Sequence, residues 1–288
     1  MIGIALSTAS SCRADQEIAT RVRVGSTPES HGYSEPFSDW DDIRLTALSV
    51  KNRITHPRFR DLMVFLALAG SSAYLERNKT ELANGTQALR SPNRDRFSSA
   101  VRPLGEAVVP AAALSAYLIG RMTGSERTRH TGLILAESAA FTFATTELLQ
   151  YVFAEQRPGD GGELRYLQGG GHGISGHTSI VASMAVPMDR LFFRLDRSDS
   201  GALRFGKVVG KVLVYGAPVA TGWSRMNDDK HYAWNVVLGL GVGYLMGDFV
   251  MGAHEPDAGT PAARGRDWTI VPITGDRGGA GLAVRWSR

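Results

Sequence analysis

From about residue 60 to residue 255 the chain alternates six apolar segments with gaps punctuated by Gly and Pro: 61–75, 104–121, 131–154, 177–194, 207–222 and 233–252. Ala and Leu dominate most of these segments, where a strand would favour β-branched and aromatic residues, so helices are expected. No internal repeat relates one segment to another. The pattern predicts an all-α fold, a helical bundle with about six core helices. The 43% of hydrophobic residues is enough for a sizeable core.

The flanks have a different texture. Residues 1–55 are polar and mixed without a sustained period, and read as a disordered or loosely packed N-terminal segment. Residues 56–255 form the helical domain, and 256–288 a C-terminal loop and hairpin. In that last stretch WTIVPIT and LAVRW flank the Gly-rich GDRGGAG, the pattern of a short β-hairpin appended to the core. The opening residues MIGIALSTASSC faintly resemble the end of a lipoprotein or secretory signal. They lack a basic n-region and their apolar part is short. A remnant of an export signal and an ordinary tail both stay open.

Most of the apolar segments fall short of the ~20 uninterrupted residues that a membrane span needs. The third carries Glu137 and Glu147, the fifth Lys207 and Lys211, and the sixth Asp248. Only the sixth is long and apolar enough to cross. A mean hydropathy of -0.12 favours a soluble or membrane-peripheral bundle. The 32 basic and 28 acidic residues leave a net charge of +4. No basic stripe interleaved with aromatics appears, so nucleic acid is not an expected partner. The mild excess suits a negatively charged small substrate or an anionic lipid surface. Cys12 is the only cysteine, which excludes disulfides within the chain and Cys-based metal sites.

Three short stretches at predicted helix ends carry the chemistry. In QYVFAEQRPGDGG (150–162), Arg157 and Pro158 stand where the third helix must stop, because Pro disfavours helical geometry in the residue before it. In GGGHGISGHTSI (169–180), Ser175, Gly176 and His177 precede a helix, whose N-terminus offers unpaired backbone N–H groups to an anion. The Ser175 hydroxyl and Gly176 amide can donate to a phosphate-like oxyanion there. The glycines at 169–171 and 173 would let the backbone approach it, with His177 at the rim. In SRMNDDKHYAWN (224–235), Arg225 follows the fifth helix and His231 opens the sixth, with Asn235 four residues on and on the same helix face. Arginine forks recognise tetrahedral oxyanions, and of two histidines one can attack phosphorus while the other protonates the leaving oxygen. Each stretch alone is more often a cap or a dipole partner. Together they outline a phosphoryl-transfer site at one end of a bundle.

The three stretches resemble the signature of the type 2 phosphatidic acid phosphatase (PAP2) superfamily, which includes bacterial class A acid phosphatases and vanadium haloperoxidases. Its pattern is K-x6-R-P, P-S-G-H and S-R-x5-H-x3-D; the present chain reads Q-x6-R-P, I-S-G-H and S-R-x5-H-x3-N. The resemblance implies a hydrolase working without metal or cofactor, with His231 as the nucleophile and His177 as the general acid. It implies that Arg157, Arg225, Ser175 and the Gly176 amide hold the phosphate oxygens of a phosphorylated small molecule or lipid phosphate. It also implies a cell-envelope location, periplasmic or membrane-associated. Gln150 replaces a phosphate-binding Lys and brings a neutral donor. Ile174 replaces a Pro. Asn235 replaces the Asp that would orient His231, which raises the alternative of a degenerate member that binds its ligand without efficient turnover. Substrate choice is expected to come from the N-terminal 55 residues and from loops 76–103 and 159–173.

Overall fold

The computed structural model describes residues 38–255, together with the backbone of 267–274 and 280–287. The helices are α1 (Asp39–Thr55), α2 (Phe59–Arg77), α3 (Lys79–Ala88), α4 (Pro92–Val101), α5 (Val109–Thr123), α6 (Glu126–Val152), α7 (Gly176–Phe192), α8 (Gly201–Asn227) and α9 (Ala233–His254). The all-α bundle expected from the apolar segments is what forms. Serine sets many of the boundaries: Ser38, Ser91, Ser125, Ser175 and Ser200 each accept a backbone N–H of the helix that follows. A π-helical turn, Leu104–Val108, links α4 to α5. Pro110 has no N–H to return to residue 106, and Val109 bonds back to the Leu104 carbonyl instead.

Helix α9 is apolar on every side and runs through the middle of the bundle, with α1, α2, α6, α7 and α8 packed around it. Leu245, Met246, Phe249 and Val250 of α9 form the core cluster with Val50 of α1 and Ile134 of α6. The crossing with α7 is the closest. A Cβ on Gly239 would lie 2.9 Å from the Ser175 carbonyl oxygen, and one on Gly243 or Gly247 would collide with the carbonyl of Ser179 or Ser183. Three glycines at four-residue spacing thus receive three serines at the same spacing. Two backbones approach along small-residue ridges, in the manner of small-xxx-small helix pairs.

Several expectations are corrected. Residues 39–55, read as part of a loose segment, form α1 with Asp39, Asp41 and Asp42 in its first turn, where they favour the helix dipole. The apolar pattern misses α1 because its inward face includes polar groups: Thr46 bonds Glu137 of α6 at 3.1 Å, and Arg53 grips Asp61 of α2. The stretch 76–103, expected to be loop, holds α3 and α4. Residues 1–37, and with them the possible export signal, lie outside the described residues. In the C-terminal region Asp267–Thr274 pairs antiparallel with Ala280–Ser287, the expected hairpin.

Three helical spans, not one, are long and apolar enough to cross a membrane: Pro92–Thr123, Glu126–Val152 and Ala233–His254. Counting uninterrupted apolar residues undervalued the first two. The π turn joins two segments into one, and Glu126, Arg127 and Arg129 lie at the very start of α6. Many large apolar side chains stay exposed on the outer helices, among them Leu118 and Met122 of α5, Phe143 and Leu148 of α6, and Phe205, Val212 and Leu213 of α8. Such a surface is compatible with membrane association.

The α7–α9 crossing makes a specific demand. Gly243→Ala pushes a methyl into the Ser179 carbonyl, a backbone atom that cannot swing aside, and is expected to destabilise by roughly 1–3 kcal/mol. Gly252→Ala, on the same helix with nothing within 4 Å, is expected to be neutral or to stabilise by up to ~1 kcal/mol. Thermal or denaturant unfolding of the two variants checks the contrast.

Candidate active site

The three stretches meet at one end of the bundle. Helix α6 ends at Val152 and leads into strand β1 (Phe153–Glu155), which pairs antiparallel with β2 (Leu164–Tyr166). Arg157 follows β1, Ser175 caps α7, and Arg225 lies in the last turn of α8. The chain reverses at Asp229, whose φ of 56° is left-handed, and the N–H groups of Lys230 and His231 both return to the Arg225 carbonyl. That turn fixes His231 beside Arg225.

A cavity of about 720 Å³ opens here, lined by Arg157, Arg225, His177, His231, Gly176 and Gln150. Six of the eight residues expected at the site therefore share one cavity. Arg225 is 7% exposed. The Nε atoms of Arg157 and Arg225 and the Nδ1 of His231 are buried without a hydrogen-bond partner among the described residues. Among the described residues the ion pair of Arg225 is a loose contact with Asp228 at 3.7 Å. Burial, together with repulsion from Arg102 and Arg157, lowers its pKa from the usual guanidinium range. Buried guanidinium N–H groups without acceptors are costly, and an oxyanion is a chemically suitable acceptor for them.

The histidines differ in setting. Burial first, then the positive charge of Arg225, pushes His231 down to about 3, so its imidazole is neutral at neutral pH. His177 is also lowered by burial and Arg225, but Glu106 opposes the shift with its carboxylate 3.4 Å from the His177 ring. Glu106 lies in the π turn. That turn can lie against α7 because residue 105 is Gly; a Cβ there would come within 2.6 Å of the His177 carbonyl oxygen.

Ser175 and Asn235 take other roles. Ser175 is fully buried, with its hydroxyl engaged by the Thr178 amide and hydroxyl, so the structure places it in the helix cap and off the cavity wall. His231 precedes the N-cap residue Tyr232, so the expected helical i, i+4 relation between His231 and Asn235 does not form. The Asn235 Oδ1 accepts from the Tyr232 amide at 2.8 Å, while its Nδ2 donates to Glu155 at 2.9 Å and to the Gly173 carbonyl. No hydrogen bond joins it to the His231 ring among the described residues. Gln150 lines the cavity but spends its amide N–H on the Ile174 carbonyl at 2.7 Å. The glycines at 171 and 173 serve close approach to β1, since a Cβ on either would run into the backbone of Phe153 or Ala154.

Glu106, Glu147 and His172 also line the cavity and were not foreseen. His172 lay within the quoted Gly-rich stretch. Glu106 had no local signal, lying 51 residues upstream of Arg157 and brought in only by packing. The cavity also has apolar lining: Ala136, Ala139, Ala140 and Phe143 along one face of α6, together with Pro110 and Ile180.

If Glu106 is what restrains the fall of the His177 pKa, Glu106→Gln will lower it further. An NMR titration of the imidazole C–H signals is expected to show His177 below the usual value of about 6.5 in the unmodified protein and lower still in the variant. An unchanged titration would show the carboxylate to be irrelevant to it.

The family model of the PAP2 superfamily matches residues 131–256, the stretch that holds all three motifs and most of the cavity. Comparison with curated proteins and with solved structures gave no match. Residues 131–256 are thus similar to the PAP2 superfamily, whose members are generally phosphatases.

Proposed function

We propose that the protein is a phosphatase that hydrolyses phosphate monoesters or lipid-linked phosphates through a phospho-His231 intermediate. The observation that carries this reading is the pair of buried, acceptorless guanidinium edges, Arg157 and Arg225, facing the same cavity as two histidines. A phosphoryl group supplies the missing acceptors. The neutral His231 imidazole then attacks phosphorus; the N–P bond forms as the P–O bond breaks, and His177 gives its proton to the departing oxygen. Water attacks the phospho-imidazole in the second step, losing its proton to His177, and releases phosphate. The two arginines and the α7 N-terminus at Gly176 stabilise the charge that spreads over the equatorial oxygens.

Among phosphorylated substrates the cavity favours a lipid phosphate. Its apolar wall on α6 begins with Phe143, about two turns from Gln150, and ends at Ala136, fourteen residues or ~21 Å from it. A hydrocarbon tail fits such a wall, and the exposed apolar surface with three spans long enough to cross fits a bilayer setting in the cell envelope. The second reading, a phosphate binder without efficient turnover, is favoured by one observation: the Nδ1 of His231 has no partner and Asn235 does not bond to it.

Phosphate release from phosphatidic acid in mixed micelles and from p-nitrophenyl phosphate tests both readings. The lipid is expected to show a kcat/KM higher by ~10² or more, since tail binding assists turnover of the head. His231→Ala is expected to abolish release, and Arg225→Ala to cost about 10²–10³. Phosphate-dependent thermal stabilisation without release would select the binder. The pH profile follows from the two histidines. For kcat/KM, activity falls below about 3 as His231 gains a proton. It also falls as pH rises through the lowered pKa of His177, so the basic limb lies below about 6.5. A basic limb well above that value would remove His177 from the acid role.

A further inference from the structure

Glu155 does not line the cavity and stands at one of the unspecified positions of the first motif, two residues before Arg157, and it is 1% exposed. Its Oε1 accepts from Lys79 of α3 at 2.7 Å, and its Oε2 accepts from the Asn235 Nδ2 at 2.9 Å. Lys79 also reaches the Gly162 carbonyl at 2.9 Å, and the Glu155 carbonyl accepts from the His172 amide at 2.7 Å. Asn235 in turn holds the Tyr232 amide and the Gly173 carbonyl. Each of these anchors is close in the chain to a cavity group. Tyr232 follows His231, Gly173 follows His172, and Glu155 is two residues before Arg157. The Ser175 amide donates to the Asn235 carbonyl at 3.2 Å, adding a fourth tie.

We propose that Glu155 is a positioning residue of this site, one half of a matched carboxylate–amide pair that acts through Asn235 to fix the backbones carrying Arg157, Gly176 and His231. The proposal rests on the phosphatase reading and adds a requirement that the motif alone contradicts. By the motif, an aspartate is the expected residue at position 235. With Glu155 in place, an aspartate there would set a second carboxylate oxygen 2.9 Å from the Glu155 Oε2 and against the Gly173 carbonyl, three acceptors with no donor among them. Asn235 is the complement of Glu155, and the negative charge beneath the site stands at position 155, neutralised by Lys79.

The test exchanges the pair. Wild type, Asn235→Asp, Glu155→Gln and the double variant are compared for kcat, KM and melting temperature. Asn235→Asp is expected to lower kcat by ~10²-fold, the scale of a small misplacement of catalytic groups, with KM changed far less. In the double variant the amide introduced at position 155 donates to the carboxylate introduced at position 235 and accepts from Lys79. It is expected to regain about tenfold in kcat over Asn235→Asp, short of wild type because the Gly173 carbonyl still faces a carboxylate. An Asn235→Asp variant as active as wild type, or a double variant no better than it, overturns the proposal. Should Asn235→Asp not fold, the isosteric Glu155→Gln decides alone: kcat falls at nearly constant KM, or the proposal fails. An inactive wild type would instead refute the phosphatase reading, and the same four proteins would then be ranked by orthovanadate affinity in a thermal-shift titration. Equal affinities across the four would overturn the positioning role.

Discussion

The site depends on how closely α7 and α9 pass one another. Gly239, Gly243 and Gly247 receive the backbone at Ser175, Ser179 and Ser183, and no residue with a Cβ fits there without displacing a carbonyl. That approach brings the start of α7, with Gly176 and His177, beside the start of α9, with His231 just before it. The remaining groups follow from the helix ends nearest this crossing: Arg225 at the end of α8, tied to His231 through a left-handed turn, and Arg157 just beyond α6. Small residues place the backbones, and the backbones place the chemistry.

Electrostatics divides the molecule along α9, whose 22 residues span ~33 Å. Near its far end Asp248 is surrounded by Arg53, Arg60 and Arg190, and His254 bonds Glu137 at 2.6 Å, so charges there meet partners within the protein. At the near end the Nε atoms of Arg157 and Arg225 are buried without an acceptor among the described residues, and Arg225 has only the loose contact with Asp228 at 3.7 Å. A structural network closes one end, while the proposed function assigns the cations at the other to a ligand. The apolar lining of the cavity on α6 reaches the outer surface of the bundle, where Ala140 and Phe143 are exposed.

Much of this was legible in the sequence. The apolar segments gave the helices because burial imposes composition, and the motif spacings gave the cavity's cations and imidazoles because helix ends are punctuated by Pro, Gly and Ser. Helix α1 was not legible, since Thr46 and Arg53 pack through hydrogen bonds and leave no apolar stripe. Ser175 was assigned to a ligand on chemistry that a helix cap satisfies equally well. Asn235 read as a damaged catalytic residue because the carboxylate that matches it, Glu155, lies 80 residues away in the chain at a position the first motif leaves unspecified. Tertiary complementarity of that kind is written in no local pattern. Glu106 is the same case, brought to His177 by a π turn and the absence of a Cβ at Gly105.

The central claim is that phosphorus passes through His231. Mixing the protein with ³²P-labelled phosphatidic acid, quenching within a turnover in alkali and mapping the labelled peptide tests it directly, because a phospho-imidazole survives base and is lost in acid. The account predicts acid-labile label on the peptide containing His231, and none in His231→Ala. Label on another residue, or undiminished phosphate release from His231→Ala, would contradict it.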